Sequence, residues 1–212
     1  MLEKVISPFG EIFVFEDLWG RWMRVGGVSQ SGGLVVNIWH KALGVVQKRR
    51  RREINNVLIL GLGAGSAANL VSQRWPEAKI TGIDIDPKVI EIGRKYFGLE
   101  KINNLEIIIG DAIEIIKKRG LKSKKEFDLI LVDLYLGRRM AGGLGEKEFL
   151  IGLRDVLSEG GIVVFNCFNW GEYKERAREL GEKVGKNFPF SWVKKAVSNI
   201  LIFASLSEAK RI

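Results

Sequence analysis

The spacing of apolar residues changes at about position 55, and the change divides the chain. Before it, Glu11-Ile-Phe-Val-Phe-Glu16 is a short apolar run and Arg21-Trp-Met-Arg-Val25 alternates, with turn chemistry at Gly26-Gly27 and Gly32-Gly33. That texture predicts a small antiparallel β-hairpin unit. Leu34 to Leu43 is apolar enough for a strand or a short helix, and periodicity leaves both open. Trp19, Trp22 and Trp39 are assigned to the core of this unit or to the cover of a neighbouring subunit. From Asn55 onward, apolar strands alternate with helical patterns. Strands are predicted at Val57–Leu60, Lys79–Ile83, Leu105–Ile109, Phe127–Val132, Ile162–Phe165 and Asn199–Ala204. Helices are predicted near Ala67–Gln73, Pro87–Tyr96, Ala112–Lys118, Lys147–Leu157 and Tyr173–Gly185, with Gly160-Gly161 ending the fourth. Alternation of this kind specifies an α/β fold with a doubly wound, Rossmann-like sheet, whose ligands bind at the carboxyl ends of the strands. The expected organisation is a β-rich unit and basic linker over residues 1–54 and a Rossmann-like domain over 55–212.

Composition narrows the class. With 46% hydrophobic and 28% charged residues in 212, the chain reads as a globular, soluble protein. Its longest apolar stretch, Val57 to Val71, is broken by Gly61, Gly63, Gly65, Ser66 and Asn69, so no membrane span is expected. Met1-Leu-Glu-Lys-Val lacks the pattern of a signal peptide, and a cytoplasmic location is expected. One cysteine, Cys167, excludes an internal disulfide and reads as a small buried hydrophobe; one histidine, His40, leaves little for a metal site.

A net charge of +9 and the run Lys48-Arg49-Arg50-Arg51-Arg52 raise the question of nucleic acid. The run has no interleaved aromatics and is read as a solvated linker, as Lys117, Lys118, Arg119, Lys122, Lys124 and Lys125 are read as a solvated helix end and loop. Nucleic acid remains a possible partner, though not the favoured one.

Candidate chemistry gathers at the predicted strand ends. Leu60-Gly61-Leu62-Gly63-Ala64-Gly65-Ser66 follows a strand and opens a helix, where glycines let the backbone approach a ligand closely. Asp84 lies 19 residues beyond Gly65, at the end of the next strand, the position from which a carboxylate accepts the ribose hydroxyls of a nucleoside. Asp86 is read as a helix cap. In Gly110-Asp111-Ala112, the carboxylate can accept from an adenine amino group, with Ile85 and Ile113 against the ring, or cap the helix that follows. Asp133, ending the fourth strand in Leu131-Val-Asp-Leu-Tyr135, points into the same crevice. The G-x-G-x-G spacing suits a ligand without a pyrophosphate better than a dinucleotide.

These residues resemble those of the spermidine synthase family, within the class I methyltransferase fold. The likeness covers Gly27-Val28-Ser29-Gln30, Val57 to Gly65, Ile83-Asp-Ile-Asp-Pro-Lys-Val-Ile90, Gly110-Asp111, Val132-Asp-Leu-Tyr135 and the last strand, Asn199–Ala204. It implies a seven-stranded sheet and an S-adenosylmethionine-type ligand, held by Gln30 at the tail, Gly61, Gly63 and Gly65 in the loop, Asp84 and Ile85 at the ribose and ring, and Asp111 and Ala112 at the adenine. Asp133 and Tyr135 become the catalytic candidates, beneath a gatekeeping loop at 137–143. No metal is implied. A small-molecule acceptor, with an amine among the candidates, and a homodimer or homotetramer joined through the N-terminal strands are also implied.

Two departures bear on the reaction. The family's loop reads G-G-G-D-G where this chain has Ala64, and its D-x-x-D pattern becomes Asp133 to Leu136. Both missing carboxylates are expected to hold amines, and an ammonium without a counter-charge is costly to enclose. Loss of the loop acid also removes repulsion toward the carboxylate of unmodified S-adenosylmethionine. The expectation is therefore methyl transfer from S-adenosylmethionine to an unidentified acceptor. Aminopropyl transfer from decarboxylated S-adenosylmethionine is the enzymatic alternative, and a non-catalytic module binding the adenosine ligand and nucleic acid is a third.

Overall fold

Consecutive residues of the central strands enter two separate cores. Val57 and Ile59 face one side while Leu58 and Leu60 face the other, and Leu129 and Leu131 alternate likewise with Ile130 and Val132. A strand apolar on both faces must be covered twice, and a computed structural model of the chain shows both covers. It describes residues 1–18, 20–50, 52–118, 120, 121 and 126–208. Trp19, Arg51, Arg119, Lys122, Lys124 and Lys125, given roles above, lie outside the described residues.

Four strands come first: β1 (Glu3–Ser7), β2 (Gly10–Asp17), β3 (Gly20–Val25) and β4 (Val28–Ser31), paired antiparallel in sequence order. Helix α1 (Gly33–Arg49) leads to β5 (Asn56–Leu60), α2 (Ser66–Arg74), β6 (Lys79–Asp84), α3 (Pro87–Phe97), β7 (Leu105–Ile109) and α4 (Ala112–Lys117). There follow β8 (Phe127–Val132), a short hairpin of β9 (Tyr135–Leu136) and β10 (Arg139–Met140), α5 (Lys147–Val156), β11 (Leu157–Phe168), α6 (Tyr173–Asn187), β12 (Phe190–Ala196) and β13 (Asn199–Ser205). The main sheet has seven strands in the order β12-β13-β11-β8-β5-β6-β7. The run from β11 to β7 is parallel, and β13 lies antiparallel between β11 and β12. On one face, Ile38, Trp39 and Ala42 of α1 join Ala67, Ala68 and Val71 of α2. On the other, Ile113 of α4, Phe149 and Leu153 of α5 and Leu180 of α6 fill the second core. The α/β doubly wound sheet is as the pattern predicts.

The small N-terminal sheet is more than a hairpin. Its inner face, Ile12, Val14, Met23 and Val25, packs on Ala64, Val89 and Ile92. Glu3 pairs with Lys95 at 3.1 Å and Arg21 donates to the Tyr96 carbonyl at 3.3 Å, fixing the sheet to α3. Phe13, Phe15 and Trp22 stack on its outer face; Trp22 is thus not in the core of the unit.

The structure settles one open reading, corrects two and adds one strand. Leu34 to Leu43 is helical, part of a 17-residue helix whose buried stripe, Ile38, Trp39, Ala42, Leu43 and Val46, has helical spacing. The basic run is not a free linker where it is described: Lys48 and Arg49 end α1, Arg49 lies 4.8 Å from the centre of the Trp192 ring, and Arg50 pairs with Glu53. Gly160-Gly161 does not end a helix; β11 already begins at Leu157, and the glycines sit at a shift in its register against β8. β12 was not foreseen, because an edge strand that pairs only with β13 carries Lys194 and Lys195 and no apolar alternation.

Candidate active site

At the carboxyl ends of β5, β6, β7, β8 and β11 the sheet opens into a cavity of about 390 Å³. Such crevices form where strand order reverses direction, here between β5 and β8. Gly61 makes the approach possible. Its φ is +86°, and a Cβ there would lie 2.1 Å from the Asp133 carbonyl. Gly65 serves differently: it sits outside the cavity lining, and a Cβ on it would strike Leu99 at 2.4 Å. Its φ of 96° starts α2 and lets the loop close on α3. Gln30, Gly61, Gly63, Asp84, Ile85, Asp111, Ala112, Asp133 and Tyr135 all line the cavity.

Asp84 ends β6 and is held by backbone. Its Oδ2 accepts from Gly63 N–H at 2.7 Å and its Oδ1 from Asp86 N–H at 3.0 Å. Burial raises its pKa against those two bonds. Asp86 caps α3 as read, with Oδ1 accepting from Lys88 N–H at 2.9 Å. Its other oxygen is buried without a partner among the described residues, and the residue lines the cavity. Asp111 caps α4 through Ile113 N–H at 2.8 Å, yet remains exposed at the rim.

Asp133 is built from side chains instead. Trp39 Nε1 donates to its Oδ2 at 3.1 Å and Asn166 Nδ2 to its Oδ1 at 2.9 Å. Asn199 Nδ2 in turn donates to Asn166 Oδ1 at 2.7 Å. Burial pushes the Asp133 carboxyl up to about 6, and the charge of Asp84 adds to that, while the two donors hold it down. Such a group is ionised at neutral pH and close enough to it to exchange a proton.

Tyr135 lines the same region, but its hydroxyl donates to the Asn166 carbonyl at 3.2 Å and accepts from Phe168 N–H at 3.0 Å. Burial drives the phenol far above its usual pKa, so it stays protonated and anchors the hairpin to β11. Gln30 Nε2 donates to the Gly137 carbonyl at 3.1 Å, tying that hairpin to the N-terminal sheet.

Trp39, Asn166 and Asn199 were not singled out as site residues. The available signal was polar: Asn166 interrupts the apolar run of β11, and a buried amide needs partners. His40 is exposed and outside the cavity lining. Cys167 is buried in the core beneath, its thiol pushed up to about 12.

The sheet order and the position of the cavity define a class I methyltransferase-type fold. Over residues 37–211 the chain matches the model of the spermine/spermidine synthase domain, and it belongs to that family. Similar proteins include a polyamine aminopropyltransferase of Vibrio vulnificus, 36% identical over 113 residues, which are 53% of this chain and 38% of that protein. Another, from Neisseria meningitidis, is 31% identical over 155 residues, 71% of this chain and 56% of the relative. The chain thus spans about half the length of these relatives. Among solved structures, a spermidine synthase in complex with the transition-state analogue AdoDATO superposes with a TM-score of 0.81 at 21% identity, covering 98% of this chain and 74% of that one. Human methyltransferase-like protein 13 in complex with SAH reaches 0.65 at 22% identity, covering 80% and 82%. At such identities the structural likeness carries the fold alone.

These findings overturn the expectation of methyl transfer, because the family and the similar proteins are those of aminopropyl transfer. The physical argument behind that expectation fails as well. Ala64 is fully buried against Ile12, Val14, Met23 and Val25, outside the cavity lining, so its methyl group neither admits nor excludes a carboxylate on a ligand.

Proposed function

We propose that the protein transfers an aminopropyl group from decarboxylated S-adenosylmethionine to an amine. The observation that carries this reading is the charge of the cavity. Among the described residues lining it, the charged ones are Asp84, Asp86, Asp111 and Asp133, with no lysine, arginine or histidine. A sulfonium bearing a protonated propylamine suits that lining; a methionine carboxylate would meet no counter-cation there.

The residues fit the nucleoside as well. Asp84 keeps lone pairs for the ribose hydroxyls, Ile85 and Ala112 flank the ring, Asp111 stands at its edge and Gln30 accepts from the tail. Bound decarboxylated S-adenosylmethionine supplies a propyl C–S bond that breaks as the amine nitrogen forms the new C–N bond, the electron pair remaining on sulfur in 5′-methylthioadenosine. Asp133 takes the proton that an arriving ammonium must lose before its nitrogen can attack. Trp39 and Asn166 fix the carboxylate in place, so much of the barrier is met by positioning.

The test offers the full chain decarboxylated or unmodified S-adenosylmethionine with a panel of amines. Release of 5′-methylthioadenosine from the decarboxylated form is expected. Release of S-adenosylhomocysteine alone would refute the reading.

A further inference from the structure

The turn between β12 and β13 is strained. Ala196 pairs with Asn199, so Val197 and Ser198 form a two-residue loop. Val197 has a φ of +55° and is the sole non-glycine residue with a positive φ among the described ones. A β-branched side chain is seldom held there, and this one is 57% exposed, so burial does not offset the cost. Such strain persists where surrounding contacts fix it, and it collects at functional sites. Here the contacts run from the loop to the acid. The Ser198 carbonyl accepts from Asn169 N–H at 3.0 Å, and Ser198 Oγ donates to Asn199 Oδ1 at 3.0 Å. Asn199 Nδ2 donates to Asn166 Oδ1 at 2.7 Å, and Asn166 Nδ2 to Asp133 Oδ1 at 2.9 Å.

The far end of this chain dictates its direction. An ionised carboxylate only accepts, so Asn166 must turn its NH2 toward Asp133. Its oxygen then faces Asn199, which must answer with NH2 and give its own oxygen to the Ser198 hydroxyl. Both asparagines are buried, so neither amide can turn to water. Reversed, Asn166 would set a carbonyl oxygen against the carboxylate and favour its protonated form. We propose that Asn199 is a positioning residue for the reaction: it fixes the direction of the Asn166 amide and through it holds the Asp133 carboxylate ready to accept a proton. The proposal rests on the aminopropyl-transfer reading and assigns the control of its base. The other titratable groups around Asp133 are Asp84 of β6, whose charge raises its proton affinity, Tyr135 of β9 and Cys167 of β11. Burial keeps the phenol and the thiol neutral, and no lysine, arginine or histidine lines the cavity among the described residues. Asn166 and Asn199 do not titrate, so a shift on replacing either with an apolar residue reports the amides and not a lost charge.

The Asp133 carboxyl is followed by carbon-13 NMR in the full chain saturated with 5′-methylthioadenosine, its signal assigned by its loss in Asp133→Asn. Asn199→Leu, similar in shape but without a donor, is expected to raise the apparent pKa by about one unit. The kcat/KM for release of 5′-methylthioadenosine from decarboxylated S-adenosylmethionine should then fall several-fold at pH 5.5 and little at pH 8.5. In an Asn166→Leu background the same replacement should add no further shift, because Asn199 acts only through that amide. Ser198→Ala, at an exposed position, should move the titration the same way by less, and it decides the matter if Asn199→Leu does not fold. An unmoved titration in whichever of the two folds, or an equal shift from Asn199→Leu in both backgrounds, overturns the proposal. Should the titration shift as expected while the native protein releases no 5′-methylthioadenosine, the aminopropyl-transfer reading fails and the control of Asp133 by Asn199 stands.

Discussion

The two halves of the cavity are made by different means. Over β5, β6 and β7 the chain builds with its backbone: Gly63 and Asp86 amides hold the Asp84 carboxylate, and Asp111 holds the start of α4. Over β8, β11 and β13 it builds with side chains brought from afar, Trp39 from α1, Asn166 from β11 and Asn199 from β13, around one carboxylate. Backbone amides belong to the strand-loop-helix unit that presents them, so that half is rigid by local geometry. The other half exists only once distant elements have packed. The first is suited to holding a constant group, the second to adjusting the proton affinity of a single acid.

The largest effect expected from breaking this arrangement comes at Asp133. Asp133→Asn should lower kcat/KM by roughly 10²- to 10⁴-fold, the range for losing a positioned base, with 5′-methylthioadenosine affinity within a few-fold of native by calorimetry. Equal losses in both would mean that Asp133 holds the nucleoside rather than the proton. In the other half, Asp84→Ala should weaken nucleoside binding by about ten- to a hundred-fold, because hydrogen bonds to a charged acceptor contribute about 1.5–3 kcal/mol. Unchanged affinity in a folded variant would remove the ribose assignment.

pH separates the halves without mutation. Asp133 must be ionised to accept a proton, and its carboxyl is pushed up to about 6. Below that pH it is neutral, so kcat/KM should fall about tenfold per unit on the acid side while the nucleoside still binds. A flat profile down to pH 4.5 would discard Asp133 as the base. The smallest effect concerns Trp39. Its indole N–H stabilises the ionised carboxylate, so Trp39→Phe should move the acid limb to higher pH and cost only a few-fold at pH 8. A lower Tm with an unmoved limb would reduce Trp39 to packing.

The same contrast explains what could be read from the sequence. Gly61, Asp84 and Asp111 sit at the ends of apolar strands, each followed at once by a helix, and a contiguous pattern shows where they converge. Asp133 was legible as the end of an apolar strand, although a hairpin rather than a helix follows it. Its partners were not, since Trp39 was indistinguishable from core and lay in a segment whose periodicity left strand and helix open. Asn166 and Asn199 meet only because β13 turns back antiparallel beside β11, a pairing that no local pattern records. Ala64 misled in the opposite direction: its position in the glycine loop implied a ligand contact, while the N-terminal sheet claims its side chain.

The order of strands across the sheet also sets a schedule. β5 pairs with β6 and β6 with β7, each strand with the next in sequence, so the loops closed between them are short and their pairing is quick to find. β8 must cross back over β5, and β13 must insert between β11 and β12 before Asn199 can reach Asn166. During refolding the part of the cavity over β5, β6 and β7 is therefore expected to close before the part around Asp133. A chain interrupted midway would hold the strand ends that present Gly61, Asp84 and Asp111 without the side-chain cluster around Asp133.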